Sequence, residues 1–413
     1  MKVACIGLLV AVMCGCAGDS PRLVIIRANA GQTVKQVIDS LPANGGIAVF
    51  GLGTWVSGFS PGTFISKPNV TIQGAGMPQF NSDYTAMTGG TILLGPVGAS
   101  TGADRFAVRD LGVDAGQSYI TSQNGGVATD ALAIFNNGQV IGAPPVQSPV
   151  IENVACLGSS PNAQFHCMLV ENVNNAYVHN VQTVMNTHGL VLKGTNSKVD
   201  GVQSRGHGND SVIVKSDAYA PASRDTLTNI TMDPLLSAGD TRGIIIIAVG
   251  APISKISISN VKAQSPLNWG VYAQGVSPDS SATELSFSNI SIDYPGGSPA
   301  GVSCMQFTQY VRLVTIQKLN CSNMWAGIIP YLPVQNGFQD YRLTNSQFTN
   351  ISTNALVTFG GAGIFHNTFN GIGGDGIVNL SGPDLVWNNT FVNVAGSNMV
   401  AQGGTFVSYP TNW

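Results

Sequence analysis

Residues 189–193 read GLVLK and residues 211–215 read SVIVK, so one five-residue run returns after 22 positions. A polar residue precedes each, His188 and then Asp210. A β-rich run recurring after about twenty residues matches one coil of a stacked solenoid, with each coil burying the apolar side of its neighbour. Similar runs occur at 168–170 (MLV), 244–246 (III) and 271–273 (VYA). A repeat array of this kind sets aside the two or three domains that 413 residues would otherwise suggest. Fifty glycines and only 9% charged residues suit many short strands joined by tight turns, and they argue against a helical protein.

Two columns follow from aligning the runs. The first holds the turn residues Asn153, Asn180, Gly201, Asn229, Asn260, Asn289, Asn320, Asn345, Asn367 and Asn389. Asn and Gly tolerate the left-handed backbone that a sharp bend inside a coil requires, and stacked Asn side chains can hydrogen-bond along the ladder. Structure accounts for this column, and the Asn-x-Ser/Thr triplets in it are by-products of the turn. The second column holds the residue ahead of each run: Asp130, His166, His188, Asp210, Arg242, Trp269, Ala300, Ala326, Asn354 and Asp375. Coils stack about 4.8 Å apart, so His166, His188, Asp210, Arg242 and Trp269 would form a stripe roughly 20 Å long. Of the 18 basic and 21 acidic residues, twelve fall within 188–242, and four of the five His lie within 166–207. This clustering marks the stripe as the candidate ligand surface.

The chain divides into a signal segment at 1–16, a tether at 17–32 and the solenoid at 33–413. Residues 1–16 combine one Lys with an apolar run too short to span a bilayer, as in a secretory signal. Its end, Met13-Cys14-Gly15-Cys16, resembles a bacterial lipobox, which implies a lipid on Cys16 and an exported protein on the outer membrane or cell surface. Simple cleavage to a periplasmic or secreted form is the alternative. Residues 33–41 space their apolar positions as a short helix, with Thr33 as N-cap and Pro42 beyond its end, which would cap the first coil. Residues 117–126 and 144–149 read as loops leaving the coils. An exported setting permits the pairs Cys156–Cys167 and Cys304–Cys321, although four buried apolar cysteines fit equally. Net charge is −3 and no basic run occurs, so nucleic acid is not an expected partner; membrane contact is expected only through the lipid, and the protein is expected to be a monomer.

Resemblance sharpens the fold. The short helix, strand 46–50, Gly-Thr-Trp at 53–55 and KPNVTIQGAG at 67–76 resemble the first coils of right-handed parallel β-helix proteins of the pectin-lyase-like kind. This implies an all-β, single-stranded right-handed parallel β-helix with an N-terminal capping helix. Residues 186–189 (NTHG) and 208–216 (GNDSVIVKS) are similar to the polygalacturonase motifs N-T-D-G and G-D-D-x-I-x-x-K-S. In that comparison His188 stands where the family has an acid, Asn209 and Asp210 where it has two, and Arg242 where it has His. Asn268-Trp269-Gly270 falls in the coil of the family's last motif, so Asp210 alone is retained among the acids.

Glycoside hydrolysis needs two carboxyl groups. Asp210 with Asp240, Asp217 or Asp225 would supply them. A lyase or C5-epimerase of a uronate polymer instead needs cations to neutralise the sugar carboxylate and a base for the adjacent proton. His188, Asp210, Arg242, Lys215 and His207 are the candidate catalytic residues for that chemistry. His166, Lys193, Asp217, Arg224, Asp240, Trp269 and Tyr272 are the candidate substrate contacts, Trp269 by stacking on a sugar ring. Lys193 and Lys215 end consecutive strands, where like charges repel unless Asp217 or an anion lies between them. Residues 218–224 would form a lip of the groove. No cofactor is required; Asp210, Asp217 and Asp225 are oxygen ligands that suit Ca²⁺, though without calcium-loop spacing. The expected function is an exported lyase or C5-epimerase acting on a uronate-containing polysaccharide, with a polygalacturonase-like hydrolase or a non-catalytic carbohydrate-binding, adhesive solenoid as alternatives.

Overall fold

The computed structural model describes residues 23–59, 63–114, 130–135, 141–158, 166–184, 187–207, 209–233, 242–266, 268–308, 310–330 and 339–408, with the backbone alone for Phe135, Arg242 and Gln339. The signal segment, Cys16, the loop at 117–126 and Asp240 lie outside these residues.

The chain is a right-handed parallel β-helix. One coil shows the plan. Strand His188–Thr195 pairs in parallel with His166–Asn174 on one side and Asp210–Ser216 on the other. The chain then turns into Lys198–Arg205, which pairs with Tyr177–Val184 and Thr226–Asp233. Alternation sends Leu190, Leu192, Val199 and Val202 inward, where they join one core running from Val34 to Val386. The end coils continue it with stacked rings, Phe348, Phe369 and Phe391, at centroid separations of 5.1 and 5.0 Å.

Each strand of the second kind bends at its middle residue, which takes positive φ. Asp110, Asn153, Asn180, Gly201, Asn229, Asn260 and Asn289 occupy this column. Side-chain amides link it axially: Asn153 Nδ2 donates to Asp110 Oδ1 at 2.7 Å, Asn180 to Asn153 at 2.8 Å, and Asn289 to Asn260 at 2.8 Å. Beyond Asn289 the column continues through Lys318, Asn345, His366 and Asn388, all at positive φ. The expected Asn320, Asn367 and Asn389 therefore sit one or two residues off the bend. The bend falls on Lys318 and His366 rather than on Asn, so alignment on Asn slips there. Asn367 and Asn389 instead point to neighbouring backbone, Asn367 Oδ1 accepting from Ser346 N–H at 2.9 Å.

The N-terminal helix spans Val34–Asp39 and buries Val34, Val37 and Ile38. Thr33 caps it reciprocally with Gln36. Lys67 Nζ donates to the carbonyls of Ile38, Asp39 and Leu41 at 3.1, 3.0 and 2.8 Å, satisfying the C-terminal end. Two expectations change. Ile25–Arg27, read as tether, is a strand paired to Gly46–Val49, and Val146–Gln147, read as loop, pairs with Val173–Asn174. Both segments are too short for periodicity to reveal. The cysteines divide between the two readings: Cys304 and Cys321 are bonded, while Cys156 and Cys167 are reduced and buried.

Asn260→Ala should destabilise the fold by about 2 kcal/mol, from strain at φ +55 and the loss of two amide contacts. Asn260→Gly should cost roughly 1 kcal/mol less, since Gly removes the strain alone. Equal losses in denaturant unfolding would refute a backbone role for the column. Asp225 gives a pH test. It is fully buried, Oδ1 accepts from Ser197 N–H at 2.7 Å, and burial, opposed by the Ser197 hydrogen bonds, pushes its pKa up to about 7. A carboxyl group with a raised folded pKa imposes no penalty at low pH and a growing one between about pH 4 and 7. Asp225→Asn should therefore raise the melting temperature at pH 8 by a few degrees, with the gain vanishing below pH 4.

Candidate functional site

The stripe is in register. His166 pairs with His188, His188 with Asp210, Asp210 with Arg242, and Arg242 with Trp269. Trp269 then pairs with Ser303 in place of the expected Ala300, and Ser303 with Ala326. Three additional residues separate the coils at that point, which the apolar pattern does not show. Asp130 opens the row beside His166, whose carbonyl accepts from Ala131 N–H at 3.2 Å.

Within the row the imidazoles are tied to carboxylates. His166 Nδ1 lies 2.7 Å from Asp130 Oδ1, which also accepts the His166 backbone N–H at 3.0 Å. His188 Nδ1 lies 3.1 Å from Asp210 Oδ2. His166 thus leans on the coil before it and His188 on the coil after it, and their rings stack at 5.1 Å and 22°. The carboxylates are buried, whereas the imidazole side chains remain 25% and 18% exposed. A carboxylate beside Nδ1 favours the tautomer with the proton there and leaves Nε2 as the basic nitrogen.

A second polar row lies about 16 Å along each strand. Lys193 Nζ bridges Glu171 Oε2 at 2.5 Å and Asp217 Oδ2 at 3.1 Å, and Lys215 Nζ is 3.9 Å from Asp217. Burial works against the Lys193 charge, but the carboxylate of Glu171, with Asp217, outweighs it and holds the ammonium pKa above its ordinary value. Burial and the charge of Lys193 pull Lys215 down. Burial likewise opposes Asp217, but Lys193 and the backbone N–H groups of Tyr219 and Ala220 lower it. Between the two rows, apart from the main core, runs a buried apolar floor of Leu169, Val191, Ile213, Ile245 and Tyr272. Trp269 stacks on Tyr272 at 4.5 Å, so one indole face is already occupied.

The structure brings together His166, His188, Asp210 and Trp269 in one row and Lys193, Lys215 and Asp217 in the other, with Tyr272 between. Arg242 holds its place in the first row by backbone register. Three expectations are corrected. His207 is fully buried, with Nε2 3.2 Å from Thr183 Oγ1 and from Thr183 O, so it belongs to the interior rather than to catalysis. Arg224 takes φ +58 at a corner, in line with Asn196 and Lys255, past the downstream end of the site strands. Asp225 points inward. Asp210, Asp217 and Asp225 therefore do not converge, and no cluster of three His, Cys, Asp or Glu among the described residues is arranged to hold a metal.

Two residues of the site escaped sequence reading as functional groups. Asp130 stood in the aligned column but without a role. Glu171 is the register partner of Lys193, and extending the 22-residue alignment one strand back would have placed it. Lys193→Met should leave Glu171 as a buried carboxylate without its cation and Asp217 with Lys215 alone, at a cost of about 3–5 kcal/mol. Lys193→Met/Glu171→Gln should recover part of that loss. Additive losses in denaturant unfolding would show that the two side chains do not act as a pair.

No protein-family model matches the chain, and no curated protein matches it by sequence. Solved structures do. The A-module of the mannuronan C-5 epimerase AlgE6 from Azotobacter vinelandii superposes with a TM-score of 0.56 at 16% identity, covering 92% of this chain and 96% of that one. The catalytic domain of a GH87 α-1,3-glucanase in complex with nigerose gives 0.54 at 14% identity, over 97% and 71%. PfbA, a surface adhesin of Streptococcus pneumoniae, gives 0.53 at 12% identity, over 89% and 87%. Together with the continuous parallel ladder, these similarities show that the chain has the right-handed parallel β-helix fold.

Proposed function

We propose that the protein acts on a polysaccharide lying along the outer face of the site sheet, and that it removes the proton beside a uronate carboxylate, as a lyase or C5-epimerase. One observation carries this reading: between the coils of Asp130 and Trp269, each described carboxylate of the two rows is the partner of a base. Asp130 serves His166, Asp210 serves His188, and Glu171 and Asp217 flank Lys193. A hydrolase needs one carboxyl group to protonate the leaving oxygen and a second to attack or to activate water. Carboxylates committed to imidazoles and ammonium groups suit neither task and instead support basic chemistry.

His188 is the general base. Its Nε2 takes the proton from the carbon bearing the carboxylate, and Asp210 stabilises the imidazolium that forms. Arg242, one coil beyond Asp210, neutralises the sugar carboxylate as charge moves onto it, while Lys215, about 16 Å away in the second row, holds another part of the glycan. In the lyase version the electron pair of the broken C–H bond forms a C=C bond, the glycosidic C–O bond breaks, and the leaving oxygen takes a proton. His166, stacked one coil away, is placed to donate it. In the epimerase version a proton returns to the same carbon from the opposite side and no bond in the chain breaks. The similarity to the C-5 epimerase A-module and to the glucanase supports a carbohydrate ligand, and the likeness to the adhesin keeps a purely binding solenoid as the second reading. Residues 1–16 support export with a lipid on Cys16, which intact-mass analysis of the protein extracted from membranes would test. We expect no obligatory cofactor, and calcium is varied in the assay.

The test is incubation of the purified protein with pectate, alginate, glycosaminoglycans and neutral glycans, with and without Ca²⁺. Ultraviolet absorbance, reducing ends and proton exchange at C5 are followed together. A joint rise of absorbance and reducing ends is elimination, and C5 exchange without chain cleavage is epimerisation. Reducing ends alone would overturn the reading in favour of hydrolysis, and binding without turnover would favour the adhesive one. His188→Gln keeps an N–H for Asp210 and removes the base. It should lower kcat about 10²–10⁴-fold with an unchanged melting temperature. Retained turnover would eliminate His188 as the base.

A further inference from the structure

The two cysteine pairs occupy the same two interior columns. On the bent sheet, Cys156 pairs with Thr183, and the column runs on through Ser204, Met232, Ala263 and Ile292 to Cys321. On the site sheet, Cys167 follows His166 and Cys304 follows Ser303, and these two neighbours are both members of the aligned polar row. Small residues fill that second column between the cysteines: Gly189, Ser211, Gly243 and Gly270.

These columns touch across the interior corner in every coil where the contact is visible. Cys304 is bonded to Cys321, on the strand that follows it, with Cα atoms 6.0 Å apart. A Cβ placed on Gly270 would meet Ile292 Cδ1 at 2.6 Å, and one on Gly327 would meet Phe348 Cδ1 at 2.9 Å, which is the same contact in neighbouring coils. Cys167 faces the strand that precedes it. A Cβ on Gly189, its neighbour in the column, would lie 2.7 Å from Thr183 Oγ1, and Thr183 is the neighbour of Cys156. Each thiol reaches the other residue's backbone: Cys156 Sγ lies 3.1 Å from Cys167 O, and Cys167 Sγ lies 3.3 Å from Cys156 O.

We infer that Cys156 and Cys167 are a second cross-linking site, closed by thiol–disulfide exchange with an external disulfide such as oxidised glutathione while the chain folds. One cysteine thiolate attacks the external disulfide, forms a mixed disulfide and releases one thiol. The second cysteine thiolate then displaces the other thiol and forms the protein S–S bond. Two cysteine S–H bonds are lost, and their two protons and two electrons end on the two released thiols. Exchange belongs to folding because both cysteines are completely buried in the folded coil, out of reach of an external disulfide. Burial, with Cys167 alongside, also pushes the Cys156 thiol well above its ordinary pKa, which makes it a poor nucleophile in the finished coil. The bond would tie the strand that presents His166 to the strand behind it, as Cys304–Cys321 does near Ser303.

The full chain is refolded from the reduced, denatured state with reduced and oxidised glutathione, denatured again in an alkylating reagent, and mapped by chymotryptic peptides. Peptide mapping separates these cysteines from Cys5, Cys14 and Cys16. The expected result is Cys156 and Cys167 unalkylated and linked to each other. Full alkylation of both, with Cys304 and Cys321 linked, would overturn the inference. Cys304→Ser/Cys321→Ser provides an independent readout. Its melting temperature should still fall by a few degrees when reductant is present during refolding, and that response should disappear once Cys156→Ser/Cys167→Ser is added. A double variant insensitive to reductant would also refute the cross-link.

Discussion

The parallel backbone ladder between coils depends on where each coil bends. A left-handed residue at the middle of the second strand, in Asn153, Asn180, Asn229, Asn260 and Asn289, sets that point, and the side-chain amides repeat the contact axially. A one-residue slip would carry Val199 and Val202 out of the core and send Asp200 in, so apolar burial and bend position reinforce a single register. Once that register holds, every position of the coil becomes a column along the axis.

Columns turn sequence periodicity into a chemical surface. The stripe from Asp130 to Trp269 arises because strands 166, 188, 210, 242 and 269 begin at equivalent points. Its carboxylates are nearly buried, and ions in such places persist only with partners. The partners here are bases, His166 and His188 in one row and Lys193 in the other. This pairing separates the site from one built on free carboxyl groups, although both can grow from the same solenoid spacing. The apolar floor between the rows keeps the two charge systems apart along the strand.

Residues that cluster in sequence need not cluster in space. The four His between 166 and 207 occupy three places. His166 and His188 are in the row, His179 is on the bent sheet 3.7 Å from Asp200, and His207 is inside. Asp225 and Arg224 are adjacent in the chain, yet one is interior and the other is a corner residue at positive φ. Turn geometry decides this, since alternation of inward and outward side chains holds along a strand and breaks at each corner.

The repeat of apolar runs, the Asn bends and the polar residue ahead of each run were enough to determine the solenoid, its register through most of the chain and the membership of the main stripe. Each rests on a period that stays constant from coil to coil. The tertiary structure alone decided which ionisable groups pair, that Glu171 joins Lys193, that His207 and Asp225 turn inward, and that Lys318 and His366 continue the bend. Those outcomes depend on contacts between residues about one coil apart and on backbone angles at corners. Neither leaves a period in the sequence, because each corner solves its own packing problem.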